Sequence, residues 1–119
     1  MPWSGSWRTT MLDPMEKTLR ALGLCAKARK LICGTPMVCE ALKGKQKPFL
    51  VVEASDNSEN TRKRLDDRCG YYGVEKRRLA ASGEVLAQAV GKTGRVAAAA
   101  ITDEQLCRLV RGTLEIGTH

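Results

Sequence analysis

Helical and strand-like hydrophobic patterns alternate along this chain, and that order constrains its fold more than any other feature. From Asp13-Pro14 onward Met15, Leu19, Leu22 and Ala26 recur at helical spacing, with Lys17, Arg20 and Lys27 elsewhere on the helix. Asp13 suits the cap and Pro14 the first turn. Leu31-Ile32-Cys33 reads as a short strand that Gly34 breaks. Thr35-Pro36 then opens a short helix through Leu42, ended by Gly44 in a loop carrying Lys43, Lys45 and Lys47. Phe49 to Val52 is a continuous apolar run, as expected for a strand covered on both faces. Asp56-Asn57-Ser58-Glu59 offers the next helix start, with Thr61, Leu65, Cys69 and Tyr72 as its stripe. Residues 74–80 form a weaker strand. Ser82 begins a helix that presents Val85, Leu86 and Ala89 and stops at Gly91. Arg95 to Ile101 is the last strand, and Thr102-Asp-Glu-Gln105 is a capping box for a final helix with Leu106, Leu109 and Val110 inward. Such alternation predicts an α/β protein: a three-layer α/β/α sandwich, one domain with a central mixed sheet.

At 119 residues the chain has the size of one domain and needs neither disulfide nor metal to fold. Residues 1–12 lack periodicity and read as a flexible tail, 13–112 as the domain and 113–119 as a C-terminal tail; Met11 or Met15 fits a natural start. Aromatics make up 4%, and both tryptophans, Trp3 and Trp7, fall in the first tail. The core is therefore expected from Leu, Val, Ile and Ala, with Phe49, Tyr71 and Tyr72 as its large rings. The longest apolar run, Val96 to Ile101, is too short to span a bilayer, and the start lacks the pattern of a secretory signal. Cys25, Cys33, Cys39, Cys69 and Cys107 form no CxxC pair, and the single histidine is the last residue, His119. That usage fits reduced thiols in the cytoplasm and argues against a metal site.

Catalytic machinery is hard to assemble from these residues. Without an internal histidine, acid–base work falls to carboxylates or lysine. The adjacent pairs Asp66-Asp67 and Asp103-Glu104 stand one residue apart, so on a helix neither converges. Gly91-Lys92-Thr93 resembles the end of a phosphate-binding loop, but Leu86 stands where that motif needs its first glycine. A helix precedes it and a strand follows, the reverse of the required order. No catalytic residue, cofactor or small-molecule substrate is expected.

Charge is more informative. Twenty Lys and Arg against thirteen Asp and Glu give a formal +7, an excess that points to a polyanionic partner. Lys27, Arg29 and Lys30 precede the Gly34-Thr35-Pro36 turn, where free helix N–H groups can also receive a phosphate. Arg62-Lys63-Arg64 and Lys76-Arg77-Arg78 form two more clusters. The sequence offers no evident row of exposed aromatics for stacking bases, so recognition of a folded RNA by shape is expected, with phosphate contacts.

The stretch from Leu22-Gly-Leu-Cys-Ala-Lys-Ala-Arg-Lys through Gly34 resembles the opening of the bacterial ribosomal L-seven-Ae-like family. Ala54-Ser-Asp-Asn-Ser-Glu-Asn-Thr61, Cys69, Ser82 through Lys92 and Arg95 through Asp103 match in the same order, so that the resemblance covers roughly residues 15–112. It implies the α/β/α fold, binding to structured RNA (typically a kink-turn) without catalysis, and association with ribosomes or other ribonucleoprotein particles. The family's contact turn reads approximately Gly-x-Asn-Glu-x-x-Lys. Here it reads Gly34-Thr35-Pro36-Met37-Val38-Cys39-Glu40. Proline replaces the asparagine, methionine the glutamate, and glutamate the lysine.

Pro36 offers no donor and Met37 a weak acceptor, so specific readout is weakened, at about 1–3 kcal/mol per lost bidentate contact by analogy with base recognition. The second contact region corresponds to Ala80-Ala81-Ser82-Gly83. The expected RNA-binding set is thus Lys27, Lys30, Gly34, Thr35, Pro36, Met37, Glu40, Lys43, Ala80, Ala81 and Ser82. The competing expectation is a protein–protein adaptor that keeps the fold and uses Pro36, Met37 and Val38 as an apolar patch.

Overall fold

In the computed structural model, residues 14–117 are described; the N-terminal tail and the Asp13 cap lie outside them. The elements are α1 (Pro14–Lys27), β1 (Leu31–Cys33), α2 (Thr35–Lys43), β2 (Leu50–Glu53), α3 (Glu59–Tyr72), β3 (Lys76–Arg78), α4 (Gly83–Ala89), β4 (Ala98–Ile101) and α5 (Glu104–Gly117). The strands form one mixed sheet in the order β1-β4-β2-β3, with β4 antiparallel to β1 and β2, and β3 parallel to β2.

Helices cover both faces, as the alternation predicts. Leu50, Val52, Ala99 and Ile101 pack with Leu22 and Cys25 of α1, Leu86 of α4 and Val110 of α5. From the opposite face Val51, Ala98 and Ala100 meet Val38 and Leu42 of α2 and Leu65 and Cys69 of α3. Alternation of side chains along a strand produces this division. All four residues of β2 and of β4 are buried, the signature of central strands. The edge strand β3, by contrast, is Lys76-Arg77-Arg78, and charge on an exposed edge discourages pairing with another chain.

Glu53, fully buried, closes β2. Its carboxylate is held by an ion pair to Lys76, which also pairs with Asp66 of α3. Burial opposes the charge on Lys76, but the Asp66 and Glu53 carboxylates outweigh it and raise its pKa. Burial likewise pushes the Cys25 and Cys69 thiols up to about 11, so these cysteines serve as small apolar packing groups.

Four expectations are corrected. Of the three rings expected in the core, Tyr72 is half-buried and packs against the cluster of Leu65 and Cys69, whereas Tyr71 is 82% exposed and Phe49 44%. The final helix is capped by Asp103, whose carboxylate accepts the Leu106 N–H at 2.9 Å, because the Thr102 N–H is used by the Lys30 carbonyl. Leu109 is exposed and Val85 largely so; their buried neighbours are Cys107, Val110, Leu86 and Ala87. Finally, α5 runs past residue 112 to Gly117. Leu114 continues the buried stripe of Cys107 and Val110, and the Thr113 hydroxyl lies 2.7 Å from that of Thr18 on α1.

Leu114→Ala should therefore destabilise the domain by about 2 kcal/mol, the low end for a buried leucine. In urea this lowers the unfolding midpoint with an unchanged slope. An unaltered midpoint would show that the last turn of α5 contributes nothing.

Candidate nucleic-acid interface

The strand directions gather four connections at one end of the sheet. The C-terminal ends of β1, β2 and β3 and the start of β4 meet there, the end at which open α/β sheets generally place ligands. The Gly34 N–H donates to the Ala98 carbonyl at 2.8 Å, Ala54 N–H to Ala97 at 2.9 Å, and Ser55 N–H to Ala81 at 2.8 Å. Backbone hydrogen bonds thus hold the turn after β1 and the loop before α4 to one frame. Helices α2, α3 and α4 all begin at this end.

Two of these three N-termini are satisfied from within. Ser58 Oγ accepts the Thr61 N–H at 3.2 Å in α3, and Ser82 Oγ accepts the Val85 N–H at 3.3 Å in α4. The Gly83 N–H adds a 3.0 Å bond to Asp56 Oδ1. For α2 the cap is Gly34, at φ 99°, and no side chain caps the helix. The positive φ explains why glycine stands there. Its outer turn is Thr35, exposed Pro36 and Met37, which is 59% exposed.

A clasp fixes the surrounding loops. Arg95 donates from Nη1 to Asp56 Oδ2 at 2.8 Å, and from Nη2 to the Asp56 carbonyl at 3.2 Å and Asn57 Oδ1 at 3.0 Å. Asn57 in turn donates from Nδ2 to the Ala97 carbonyl at 2.9 Å. Arg95 lies so close over Gly83 that a Cβ there would stand 2.5 Å from its Cγ. Hydrogen bonding to Arg95, with the Gly83 N–H, holds the Asp56 carboxyl below the usual aspartate pKa. Within the stretch Asp56-Asn57-Ser58, read from sequence as a helix start, Ser58 does cap α3, while Asp56 and Asn57 lock the loops together.

The expected site residues divide. Gly34, Thr35, Pro36 and Met37 follow the edge strand β1 and lie at the same end of the sheet as Ala80 and Ser82, which follow the opposite edge strand β3. Ala81 is buried and contributes its carbonyl to Ser55. Val38 is also buried, which leaves Pro36 and Met37 alone of the proposed apolar adaptor patch. Glu40 is exposed one turn along α2. Lys30 and Gly34 flank the three residues of β1, roughly 13 Å apart at a strand's rise. Lys43 ends the nine residues of α2, roughly 13 Å from its start. Lys27 is the last residue of α1, beside Gly91. Lys30 and Lys43 thus belong to the opposite end of the sheet.

The cations that do attend the open end are Arg78, last in β3; Arg62 and Lys63, in the first turn and a half of α3; Lys92, whose charge acts on the Cys33 thiol; and Arg95. The sequence named the first two clusters but gave no reason to prefer them, since the strand order that brings them here is a long-range property.

A sequence profile of the Ribosomal protein L7Ae/L30e/S12e/Gadd45 family matches residues 16–110. The chain belongs to this family. It is 36% identical to the RNA-binding protein YlxQ of Bacillus subtilis (strain 168) over 83 residues, 70% of this chain and 80% of that protein. The RNA-binding protein YlxQ of Enterococcus faecium is 33% identical over 81 residues, 68% and 77% of the two chains. Among solved structures, a protein of unknown function from Bacillus halodurans C superposes with a TM-score of 0.75 at 32% identity, over 83% of this chain and 97% of the other. The Giardia lamblia 15.5kD RNA binding protein shares the fold with a TM-score of 0.72 at 17% identity, covering 90% of this chain and 89% of its own.

The clasp has a measurable signature. Since the folded Asp56 pKa is depressed, its contribution is complete above the ordinary aspartate value and is lost as pH falls through the folded value. The Gly83 amide resonance should titrate below the normal aspartate range, and Asp56→Asn should abolish that titration. A Gly83 resonance indifferent to pH would remove Asp56 as its partner.

Proposed function

We propose that this protein is a binding protein for structured RNA, which it holds at the sheet end where α2 begins. The observation that carries this reading is the uncapped α2 N-terminus, set among helix starts that the protein caps itself. Exposed helix N–H groups and the macrodipole favour an anion, and a phosphate is the natural occupant. Arg78, Lys63 and Lys92 supply further positive charge at the same end of the sheet, and the Arg95 clasp keeps the neighbouring loops in place before binding. Family membership, relatives named as RNA-binding proteins and the +7 charge all favour RNA as that polyanion.

In this reading affinity comes from phosphates and RNA shape, with association to ribosomal or other ribonucleoprotein RNA in the cytoplasm. Kink-turn discrimination is reduced, because Pro36, Met37 and Glu40 occupy the positions of the family's Asn, Glu and Lys. Pro36 adds to the effect by removing one of the N–H groups at the helix start.

The test compares a kink-turn RNA with a straight duplex of equal length across a salt series. Binding should be steeply salt-dependent with little preference between them. Lys92→Ala and Arg78→Ala should each lower affinity and reduce the logarithmic salt slope by about one, with Lys30→Ala having a smaller effect. The triple change Pro36→Asn, Met37→Glu, Glu40→Lys should create a preference for the kink-turn. Unchanged affinity and slope for both single variants would reject this end of the sheet as the interface.

A further inference from the structure

An exposed ring stands at the end of α3 beside a lysine-rich loop. Tyr71 and Tyr72 close α3 at the end of the molecule opposite the α2 N-terminus. Their rings meet edge to face, with centroids 4.9 Å apart and planes at 88°. Tyr72 is half-buried and has Lys47 Nζ 5.0 Å from its ring centroid, a cation–π contact. Lys47 is also held by a 3.2 Å bond to the Gly44 carbonyl, so the loop after α2 is fastened against the end of α3. Tyr71 is left 82% exposed, steadied at one edge by a ring that is itself fixed.

The surrounding charge has one dominant sign. Lys43, Lys45 and Lys47 are exposed on the loop. Arg68 stands at i−3 from Tyr71, on the same helix face. Arg68 and Asp67 line a shallow depression with the two tyrosines. Asp67 is the opposing charge there, since the nearby Asp66 is taken by Lys76. An exposed, pre-set aromatic face among four cations matches the composition of a surface that stacks unpaired bases while lysines and arginines follow the backbone. A protein partner would find the same ring, but it would also have to neutralise this charge.

We propose that Tyr71 is a stacking platform for an unpaired nucleotide, with Lys43, Lys45, Lys47 and Arg68 holding the adjoining phosphates. It forms a second nucleic-acid contact, separate from the α2 end. The proposal rests on the reading of this protein as an RNA binder, yet it can be tested apart from that reading.

The full chain is titrated with a fluorescent, unstructured oligouridylate of about ten nucleotides, an abasic oligomer of the same length and charge, and a structured hairpin without tails. Tyr71→Ala should weaken oligouridylate binding about tenfold, the order of one lost base stack, and leave the hairpin unaffected. Tyr71→Phe should retain wild-type affinity, and the abasic oligomer should bind the wild type as weakly as oligouridylate binds Tyr71→Ala. Exposure of this ring means that both variants should keep the wild-type melting temperature. Equal oligouridylate affinity for Tyr71→Ala and wild type, equal binding of abasic and uridylate oligomers, or no oligouridylate binding at all would overturn the platform. Tyr71-dependent oligouridylate binding without hairpin binding would sink the α2-end interface and leave the platform standing. Hairpin binding sensitive to Lys92 and Arg78 but indifferent to Tyr71 would do the reverse.

Discussion

The whole architecture depends on a central strand built from small side chains. β4 is Ala98-Ala99-Ala100-Ile101, flanked by β1 and β2 and covered on both faces. Ala98 and Ala100 present single methyl groups to α2 and α3, and Ala99 does the same toward the α1, α4 and α5 layer. Protein interiors must be filled to crystal-like density, so short side chains here require the helices to come close. Close layers leave little room for rings, in keeping with the exposure of Tyr71 and Phe49 and with Tyr72 packing only at the margin of its cluster. The same constraint appears between helices: a Cβ on Gly23 of α1 would stand 2.8 Å from the Ala89 carbonyl of α4.

The start of this strand also organises the open end of the sheet. The Ala97 carbonyl receives both the Ala54 N–H and Asn57 Nδ2, and the Ala98 carbonyl receives the Gly34 N–H. The loop after β2 and the turn after β1 are thereby fixed to one short piece of backbone. Arg95, two residues earlier, binds Asp56 and Asn57 and covers Gly83. The cost of ordering the loops is met in folding, so a ligand at the α2 N-terminus meets a surface already formed.

What could be read from the sequence follows the range of the forces involved. Element order, the two-sided burial of β2 and the glycine break after β1 are local signals that the structure bears out, whereas the last strand begins at Ala98 and not at Arg95. Strand order has no such signal. The distance of Lys30 and Lys43 from Gly34, by contrast, follows from the lengths of β1 and α2 and is open to local reading. The Asp56–Arg95 clasp joins residues 39 apart and leaves no local trace. Tyr72 falls on the buried stripe with Leu65 and Cys69, but adjacent Tyr71 points about 100° away on the helix, and hydrophobicity alone does not tell which ring is inside. The Thr102 capping box fails for a related reason: its N–H is claimed by Lys30 across the chain before α5 can use it.

Helix α2 links the two ends that chemistry distinguishes. Its N-terminus is open at one end of the sheet, and its last turn leads into Lys43, Lys45 and Lys47 at the other. Glu40 stands exposed between them, where the family pattern has a lysine. A lysine there would carry positive charge from the α2 start toward the lysine loop, in one strip that a phosphate backbone could follow. A carboxylate at that point repels the backbone. The interruption is consistent with the two separate contacts proposed, one with folded RNA at the α2 start and one with an unpaired segment at Tyr71. Joined by the same RNA, two such sites raise each other's effective concentration, provided that the connecting nucleotides can pass Glu40 without lying against it.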